Sequence, residues 1–395
     1  MLLTNSRRIA EKIKVGVVVR GTGIHAAKCS YLFSQLGIHI LCFAEVNRGV
    51  DKFRGKTVYD ISEIPYKNAM LVIATKIDTY CDISDELRSS NMKEFNDFIY
   101  YEWLLKDIVL LHGNCHMEIL GDLLCSSPAF TDRYTIYPYP LLISSTKQFR
   151  TEPEIFENID VWIHEDIRQN NVFGYEVSDE YIRKNLGINV LEIRIPHLYG
   201  ISKMFFPQVV VRNDGNNEAL NGGRDTDGIF LYGDKVIESC ISRDMKLDDI
   251  IEFCKSDEAI PKHEIFYNYE RCMSKVRNRE RSWDVKVSSF IEEKYKHIKL
   301  FYDPGHPTNV IMEYIAKEVL KKLGAWMADK TLTCSKSMDA HEKFVYPCVK
   351  KALGIVYEEK EIRKTGKRLS DHMDFSEFIR EYCWWRYYEN YKDQL

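Results

Sequence analysis

The sequence has no long hydrophobic run and no excess of either charge. No stretch approaches the roughly 20 uncharged apolar residues that a bilayer span needs, and the first residues, MLLTNSRRIAEKIK, lack the apolar segment of a signal peptide. The 55 Lys and Arg residues against 59 Asp and Glu residues leave a net charge of -4, which provides no global attraction to nucleic acid or to an anionic membrane. We therefore expect a cytoplasmic protein with no membrane span and no nucleic-acid partner.

The eleven cysteines lack the spacing of a disulfide framework or of a zinc site. They are scattered, with no CxxC pair and no Cys/His cluster at zinc spacing. We expect no metal and interpret most of these cysteines as small buried residues. With 45% apolar and 12% aromatic residues, a chain of 395 residues has enough apolar surface for two or three packed domains.

Short apolar runs alternate with helical patterns from the start of the chain. The runs at 15–20, 38–43 and 70–74 predict buried strands, and the pattern at 26–36 predicts a helix that ends at Gly37. This alternation is typical of a parallel α/β sheet. It restarts with DIVLL at 107–111, so we place a boundary near residue 105, between a Rossmann-like domain at 1–105 and a larger domain at 106–395.

The larger domain is predicted to continue the α/β pattern. A polar stretch at 212–228, rich in Asn, Gly and Asp, predicts a surface loop. Further predicted elements are strands at 134–137, 160–163, 189–193 and 297–302, and helices at 178–186, 245–255, 262–296, 307–323 and 374–388.

A glycine motif follows the first predicted strand. Gly21, Gly23 and Ala26 spell G-x-G-x-x-A at the opening of a helix, where glycines let the backbone approach a phosphate. Glu45 ends the next strand about 20 residues later, where an acidic side chain can accept hydrogen bonds from ribose hydroxyls. The motif predicts a nucleotide or nucleotide-sugar site. The alternative is a nucleotide-free fold that needs glycine only for a tight turn.

A cysteine stands at the turn between a predicted buried strand and an amphipathic helix, in HGNCHMEILGDLL at 112–124. At the start of a helix, backbone N–H groups and the positive end of the helix dipole stabilise a thiolate. The same N–H groups can hold an oxyanion. We interpret Cys115 as an acyl-transfer nucleophile, and the alternative is a buried core cysteine.

An Asp-x-x-His pair, Asp303 and His306, follows the predicted strand at 297–302 in the segment DPGHPT. A carboxylate placed three residues before a histidine can fix the imidazole tautomer and stabilise its protonated form. Ligands of open parallel sheets bind at the carboxyl ends of the strands, where Cys115 is also expected. The pair therefore predicts a general base for that cysteine.

These segments resemble two related groups of enzymes. A strand followed by G-N-C, with D-x-x-H-P before a late helix, is similar to the SGNH hydrolase layout with cysteine in place of serine. Five segments are more closely similar to the WcbI-type polysaccharide-biosynthesis family, over about residues 107–382: HGNCHMEILGDLL, DVWIHEDI, IPHLYGISKMFFPQ, KLFYDPGHPTNVIMEYIAKEVLKKLG and FVYPCVKKALGI. The resemblance implies an SGNH-like three-layer α/β/α domain and coenzyme A-dependent acetyl transfer to capsular or other surface polysaccharide.

The resemblance also implies roles for three catalytic residues. Cys115 takes the nucleophile position, His306 that of the base, and Asp303 that of the acid that orients the base. Acetyl-CoA is the implied donor, and a carbohydrate is the implied acceptor. Transfer through an acyl-cysteine and direct transfer both stay open.

Three more polar residues are implied near the oxyanion and the substrate. Asn114 flanks the oxyanion region, and His116 stands where many relatives are expected to have glutamine. His164, in DVWIHEDI, falls at a strand end that often carries a polar residue; a structural histidine is the alternative. The first 100 residues resemble the small front domain of nucleotide-sugar acetyltransferases.

Two other functions fit the same sequence features. One is a thiol-dependent carbohydrate esterase or deacetylase, in which water replaces the sugar acceptor. The other is a non-catalytic nucleotide-sugar-binding protein, in which the glycine motif binds the ligand and Cys115 is structural.

Overall fold

The structure is a computed structural model that describes residues 13–138, 141–142, 152–171, 173–211, 232–328, 331–338, 342–363 and 372–391. The surface loop predicted at 212–228 lies outside these residues. The chain divides into two compact units, and each is described by itself. The first comprises the described residues of Met1–Arg194 and Lys322–Thr331, and the second those of Ile195–Lys321 and Leu332–Leu395.

The first unit begins with a six-stranded sheet in the order β3-β4-β2-β1-β5-β6. Its strands are parallel except for β3, which runs antiparallel to β4. The strands are β1 (Val17–Arg20), β2 (Ile40–Glu45), β3 (Lys52–Phe53), β4 (Lys56–Asp60), β5 (Met70–Ile73) and β6 (Phe98–Tyr100), with helices α1 (Ile24–Leu36) and α2 (Ile77–Ser89).

Local sequence explains this first sheet. All four residues of β1 are buried, as expected for a run of valines at the centre of a parallel sheet. Helix α1 ends where predicted, because Gly37 adopts φ 71° and its N–H bonds to the Phe33 carbonyl. The predicted strands at 15–20, 38–43 and 70–74 are confirmed.

A second parallel sheet follows in the same unit, in the order β11-β10-β7-β8, with β9 also paired to β7. Its strands are β7 (Asp107–Gly113), β8 (Tyr134–Ile136), β9 (Leu141–Leu142), β10 (Val161–His164) and β11 (Leu191–Arg194), and its helices are α3 (His116–Cys125), α4 (Pro128–Arg133), α5 (Pro153–Phe156) and α6 (Asp179–Asn185). The α/β class with parallel sheets is therefore confirmed.

The two sheets of the first unit share one apolar core. Trp103, in the connection between them, packs against Phe95 with ring centroids 5.0 Å apart and against Tyr137 at 5.3 Å. Buried residues from both sheets belong to the same cluster. The change of sheet between Tyr100 and Asp107 lies where the sequence pattern restarts. The division into domains at residue 105 stays a prediction, and so does the SGNH-like layering.

The second unit is mainly helical in its described residues. Two small antiparallel pairs are present, β12 (Val209–Val211) with β13 (Tyr232–Asp234) and β14 (Ile362–Arg363) with β15 (His372–Met373). The helices are α7 (Lys235–Ile241), α8 (Leu247–Lys255), α9 (Lys262–Arg279), α10 (Ser288–Lys294), α11 (Asn309–Lys322), α12 (Pro347–Leu353) and α13 (Phe375–Tyr391).

Two predicted elements of this unit were wrong. The helix predicted at 262–296 divides after Arg279, because the Glu280 carboxylate accepts the backbone N–H groups of Val287 and Ser288 and so caps a new helix. The strand predicted at 297–302 is absent. Leu300 and Phe301 are buried as expected of a strand, but their segment pairs only with its own following turn, through a bridge from Phe301 to Pro307.

Candidate active site

Cys115 occupies the turn between β7 and α3. It is the N-cap residue of α3, with φ -57° and ψ -20°, and it is half-buried. The Asn114 side chain accepts the backbone N–H of His116 at 2.9 Å, so Asn114 caps the first turn of the helix. The predicted strand, turn and helix around the cysteine are confirmed, and the catalytic role of Cys115 stays a prediction.

Gly113 lets this turn pack tightly. A Cβ atom at this position would lie 2.6 Å from the Met117 methyl carbon and 3.2 Å from the Glu165 carboxyl carbon. Since real Cβ contacts are longer, a side chain at residue 113 would displace the Met117 side chain and press on the Glu165 carboxylate. Glycine directly before Asn114 and Cys115 avoids both contacts.

Glu165 was not singled out from the sequence, yet it holds the turn together. Its carboxylate accepts the Asn114 backbone N–H at 3.3 Å and lies 3.3 Å from Nδ1 of His116. Both Glu165 and His116 are about 1% exposed. The signal was an acidic residue directly after a buried strand, in DVWIHEDI, where a buried carboxylate needs polar partners. The structure thus groups Asn114, Cys115, His116 and Glu165.

His164 lies at the end of β10 and is fully buried. Its Nε2 is 3.0 Å from Glu192, and its Nδ1 is 3.0 Å from the Glu165 carbonyl oxygen. Burial lowers the pKa of His164, but the carboxylates of Asp179 and Glu192 outweigh burial and leave that pKa raised. The hydrogen bond from His164 holds the pKa of Glu192 well below its usual range. A pocket-lining role for His164 stays a prediction.

Asp303 and His306 form a hydrogen-bonded pair in the second unit. One oxygen of the buried Asp303 carboxylate accepts the backbone N–H groups of Gly305 and His306, at 2.6 and 3.0 Å. The other oxygen lies 2.7 Å from Nδ1 of His306. Because a carboxylate only accepts, Nδ1 carries the hydrogen and the neutral ring has its lone pair on Nε2. That is the arrangement a general base requires.

Neighbouring groups hold the turn at residues 303–306 in place. The Ser202 hydroxyl donates to the Asp303 carbonyl oxygen at 3.0 Å, and a Cβ atom at Gly305 would lie 2.8 Å from the Tyr232 hydroxyl. Burial lowers the pKa of the nearby Lys343 ammonium to about 8, although the charges of Asp303 and Asp234 oppose this shift. Lys343 therefore stays a cation near neutral pH, close to the Asp303 carboxyl group.

The glycine motif and Glu45 meet at the end of β1. Gly21 adopts φ 119°, and a Cβ atom there would lie 3.1 Å from the Ala74 carbonyl oxygen. The Thr22 hydroxyl donates to the Glu45 carboxylate, and Gly23 precedes α1 as its N-cap. The turn lies where β1 is flanked by β2 and β5, the point at which parallel sheets bind ligands. Nucleotide binding here stays a prediction.

The structure brings the predicted site residues together in three groups. Asn114, Cys115 and His116 form one group in the first unit, and Gly21, Gly23 and Glu45 form another. Asp303 and His306 form the third, in the second unit. An α/β protein with a cysteine at a strand-to-helix turn and an aspartate-supported histidine has the side chains that cysteine-dependent enzymes use.

The family follows from a match along the sequence. The family model described as polysaccharide biosynthesis enzyme WcbI matches residues 108–326, more than half of the chain. The chain therefore belongs to the WcbI family of polysaccharide biosynthesis enzymes, and the predicted resemblance to this family is confirmed. The matched region contains Cys115, Asp303 and His306.

A solved structure of WcbI, described as a novel polysaccharide biosynthesis enzyme, has a similar fold. It is 17% identical, with a TM-score of 0.58, over 71% of this chain and 89% of that chain. It is described as the native protein without a disulfide bond between coenzyme A and one of its cysteines. No curated protein matches this chain. Among the described residues, no helix has the length and apolar character to cross a membrane.

Proposed function

We propose that this protein transfers an acyl group, which we take to be acetyl, from coenzyme A to a sugar of a capsular or other surface polysaccharide or its precursor, with Cys115, His306 and Asp303 as its site. The observation that carries the proposal is the place of Cys115, at the N-cap of α3 directly after a buried strand. Membership of a polysaccharide biosynthesis family supports it. So does the description of a WcbI structure in terms of coenzyme A and a cysteine.

His306 is the proposed base, and Asp303 orients it. In the covalent route, Nε2 of His306 takes the proton of the Cys115 thiol as its sulfur attacks the thioester carbonyl, and the coenzyme A sulfur leaves with that proton as the free thiol. A sugar hydroxyl then attacks the acyl-cysteine while Nε2 of His306 takes the hydroxyl proton. In the direct route, His306 removes the proton from the sugar hydroxyl as that oxygen attacks acetyl-CoA.

The developing oxyanion needs donors at the turn. The His116 N–H already bonds to the Asn114 side chain, so we assign the Cys115 N–H to the oxyanion. Asn114 then acts by holding the first turn of α3, and Glu165 by fixing His116 and the Asn114 backbone. His116 and His164 are buried, and we assign them to the support of this turn behind the substrate.

The first sheet is proposed to bind a nucleotide or a nucleotide sugar. Gly21 and Gly23 let the backbone approach a phosphate, and Glu45 is available to the ribose hydroxyls. The bond from Thr22 keeps Glu45 beside the glycine turn. This site would supply the sugar that accepts the acyl group.

Intact-mass spectrometry after incubation with acetyl-CoA tests the proposal. The covalent route predicts a gain of about 42 Da, one acetyl group, that disappears in Cys115→Ala. Cys125→Ala is the matched control, because Cys125 ends the same helix and is exposed. The direct route predicts no adduct, together with loss of acyl transfer in His306→Ala by a factor of about 10² to 10⁴.

Product analysis distinguishes the esterase alternative. A deacetylase would release acetate from an acetylated glycan without coenzyme A, whereas the proposed transferase consumes acetyl-CoA and acylates the glycan. Full transfer activity in both Cys115→Ala and His306→Ala would overturn the proposed site.

A further inference from the structure

Three buried or nearly buried side chains of the first unit converge on one point. His112 is the last residue but one of β7, His164 ends β10, and the two residues are partners in the parallel register of these strands. Asp179, the first residue of α6, completes the group. One nitrogen from each histidine and one Asp179 oxygen all lie within 4.8 Å of one another.

The hydrogen bond of His112 shows which of its two ring nitrogens carries a hydrogen. Nε2 lies 2.8 Å from the Val177 carbonyl oxygen, and because a carbonyl only accepts, Nε2 carries the hydrogen. In the neutral ring, the second nitrogen, Nδ1, then presents a lone pair.

That lone pair faces another acceptor. Nδ1 of His112 lies 3.7 Å from Oδ1 of Asp179, which is too long for a hydrogen bond, and among the described residues this buried nitrogen has no hydrogen-bond partner. A buried nitrogen lone pair without a partner loses the hydrogen bond that water would give it, and the Asp179 oxygen has only the 3.4 Å approach of Nδ1 of His164. A cation between them would satisfy both.

His164 offers one ring nitrogen to the same point, and its other ring nitrogen is held by a carboxylate. Its Nδ1 approaches the same Asp179 oxygen at 3.4 Å, while its Nε2 lies 3.0 Å from Glu192. Glu192 is in turn held by Arg183 at 2.7 Å and Arg194 at 2.9 Å. Metal-binding histidines characteristically donate their other ring N–H to a carboxylate or a backbone carbonyl, as His164 does to Glu192 and His112 to Val177.

We propose that His112, His164 and Asp179 bind one divalent transition-metal ion of the zinc class. The ligands are Nδ1 of each histidine and a carboxylate oxygen, a donor set that suits zinc. The separations of 3.4 and 3.7 Å from the Asp179 oxygen match the edges of a tetrahedron with bonds of about 2.1 Å. On binding, His164 releases its Nδ1 proton and exchanges its bond to the Glu165 carbonyl for the metal.

The ion would have a structural role beside the proposed active site. His112 directly precedes Gly113 and the cysteine turn, and His164 directly precedes Glu165, whose carboxylate holds that turn. One ion bound to both strand ends would hold β7, which leads into the Cys115 turn, next to β10, which positions Glu165. Metal that binds the folded chain should therefore raise its thermal midpoint.

Zinc chloride titrated into chelator-treated full-length protein tests the site, with calorimetry for stoichiometry and circular dichroism for folding. One ion per chain is expected, with a rise in the thermal midpoint. Asp179→Asn keeps the volume of the side chain and should weaken binding at least about tenfold, as should His112→Gln. His263→Ala and Cys115→Ala are the controls, since His263 is exposed and Cys115 supplies a thiol in the turn that follows β7; both variants should bind zinc like the wild type.

X-ray absorption of the zinc-loaded protein identifies the ligands independently of affinity. Nitrogen and oxygen ligands with imidazole scattering and no sulfur are expected. The proposal is overturned by sulfur in the coordination shell, by unchanged binding in the folded Asp179→Asn variant, or by the lack of stoichiometric binding to the wild type.

Discussion

At the scale of single residues, the cysteine turn depends on the absence of a side chain at position 113. Gly113→Ala should lower the free energy of unfolding by about 1–3 kcal/mol, because the added methyl group would meet Met117 and Glu165. Gly49→Ala is the control, since nothing lies within 4 Å of a Cβ atom there, and its effect should stay within about 0.5 kcal/mol. Urea unfolding measures both, and equal effects would contradict this account of the turn.

Asp160 makes the stability of the protein depend on pH. Its carboxylate accepts the Ile108 N–H at 2.8 Å, but burial, with the charge of Asp107, raises its pKa from 3.8 to about 7. The folded state therefore binds this proton more tightly than the unfolded state. The resulting stability is present below pH 3.8 and is lost as the pH rises through about 7.

Asp160→Asn should remove this loss, because an amide oxygen can accept the same N–H without a charge. At pH 8 we expect the free energy of unfolding of the variant to exceed that of the wild type by about 1–2 kcal/mol. This figure is smaller than the full pKa shift implies, because the partly exposed carboxyl group is screened by solvent. The difference should shrink steadily toward pH 4. Thermal unfolding across this range measures it, and a difference independent of pH would contradict the raised pKa.

Residues in short motifs were predictable, and residues brought together from distant segments were not. The sequence predicted the Cys115 turn and the Asp303–His306 pair because each is encoded within a few positions. Glu165 was missed because its partners, Asn114 and His116, lie about fifty residues earlier. The proposed metal ligands come from three separate segments, so no spacing pattern marks them.

At the scale of elements, alternation of apolar runs predicted the parallel sheets but not every boundary. A buried strand and a buried loop are both apolar, which explains the strand wrongly predicted at 297–302. Leu300 and Phe301 are buried, but the Thr308 N–H bonds back to the Leu300 carbonyl across the following turn. Only hydrogen-bond partners distinguish the two structures, and these depend on the tertiary fold.

Helix α2 is fixed by a buried ion pair that can be tested. Arg88 binds Glu94, whose side chain is 1% exposed and which also accepts the Tyr137 hydroxyl at 2.7 Å. Arg88→Met should cost about 3–5 kcal/mol, because it leaves a buried carboxylate without its cation. Lys93→Met breaks the exposed pair with Glu154 and should cost under about 1 kcal/mol. Comparable losses in urea unfolding would contradict this assignment.

At the scale of the whole molecule, the shared core of the first unit bears on the predicted boundary near residue 105. A fragment of residues 1–105 retains Phe95 and Trp103 but lacks Tyr137, which packs against Trp103, and it lacks β7. We expect this fragment to expose apolar surface and to unfold without a cooperative transition, as followed by circular dichroism and dye binding. A sharp cooperative transition would instead support an independent domain.

The crystal structure of the complex with coenzyme A tests the central claim most directly. The proposed function predicts that the coenzyme A sulfur lies within about 4 Å of Sγ of Cys115, in contact with the turn that begins α3. Coenzyme A bound with its sulfur at the Gly21–Glu45 turn, or at any other place away from Cys115, would contradict the assignment of Cys115 to acyl transfer.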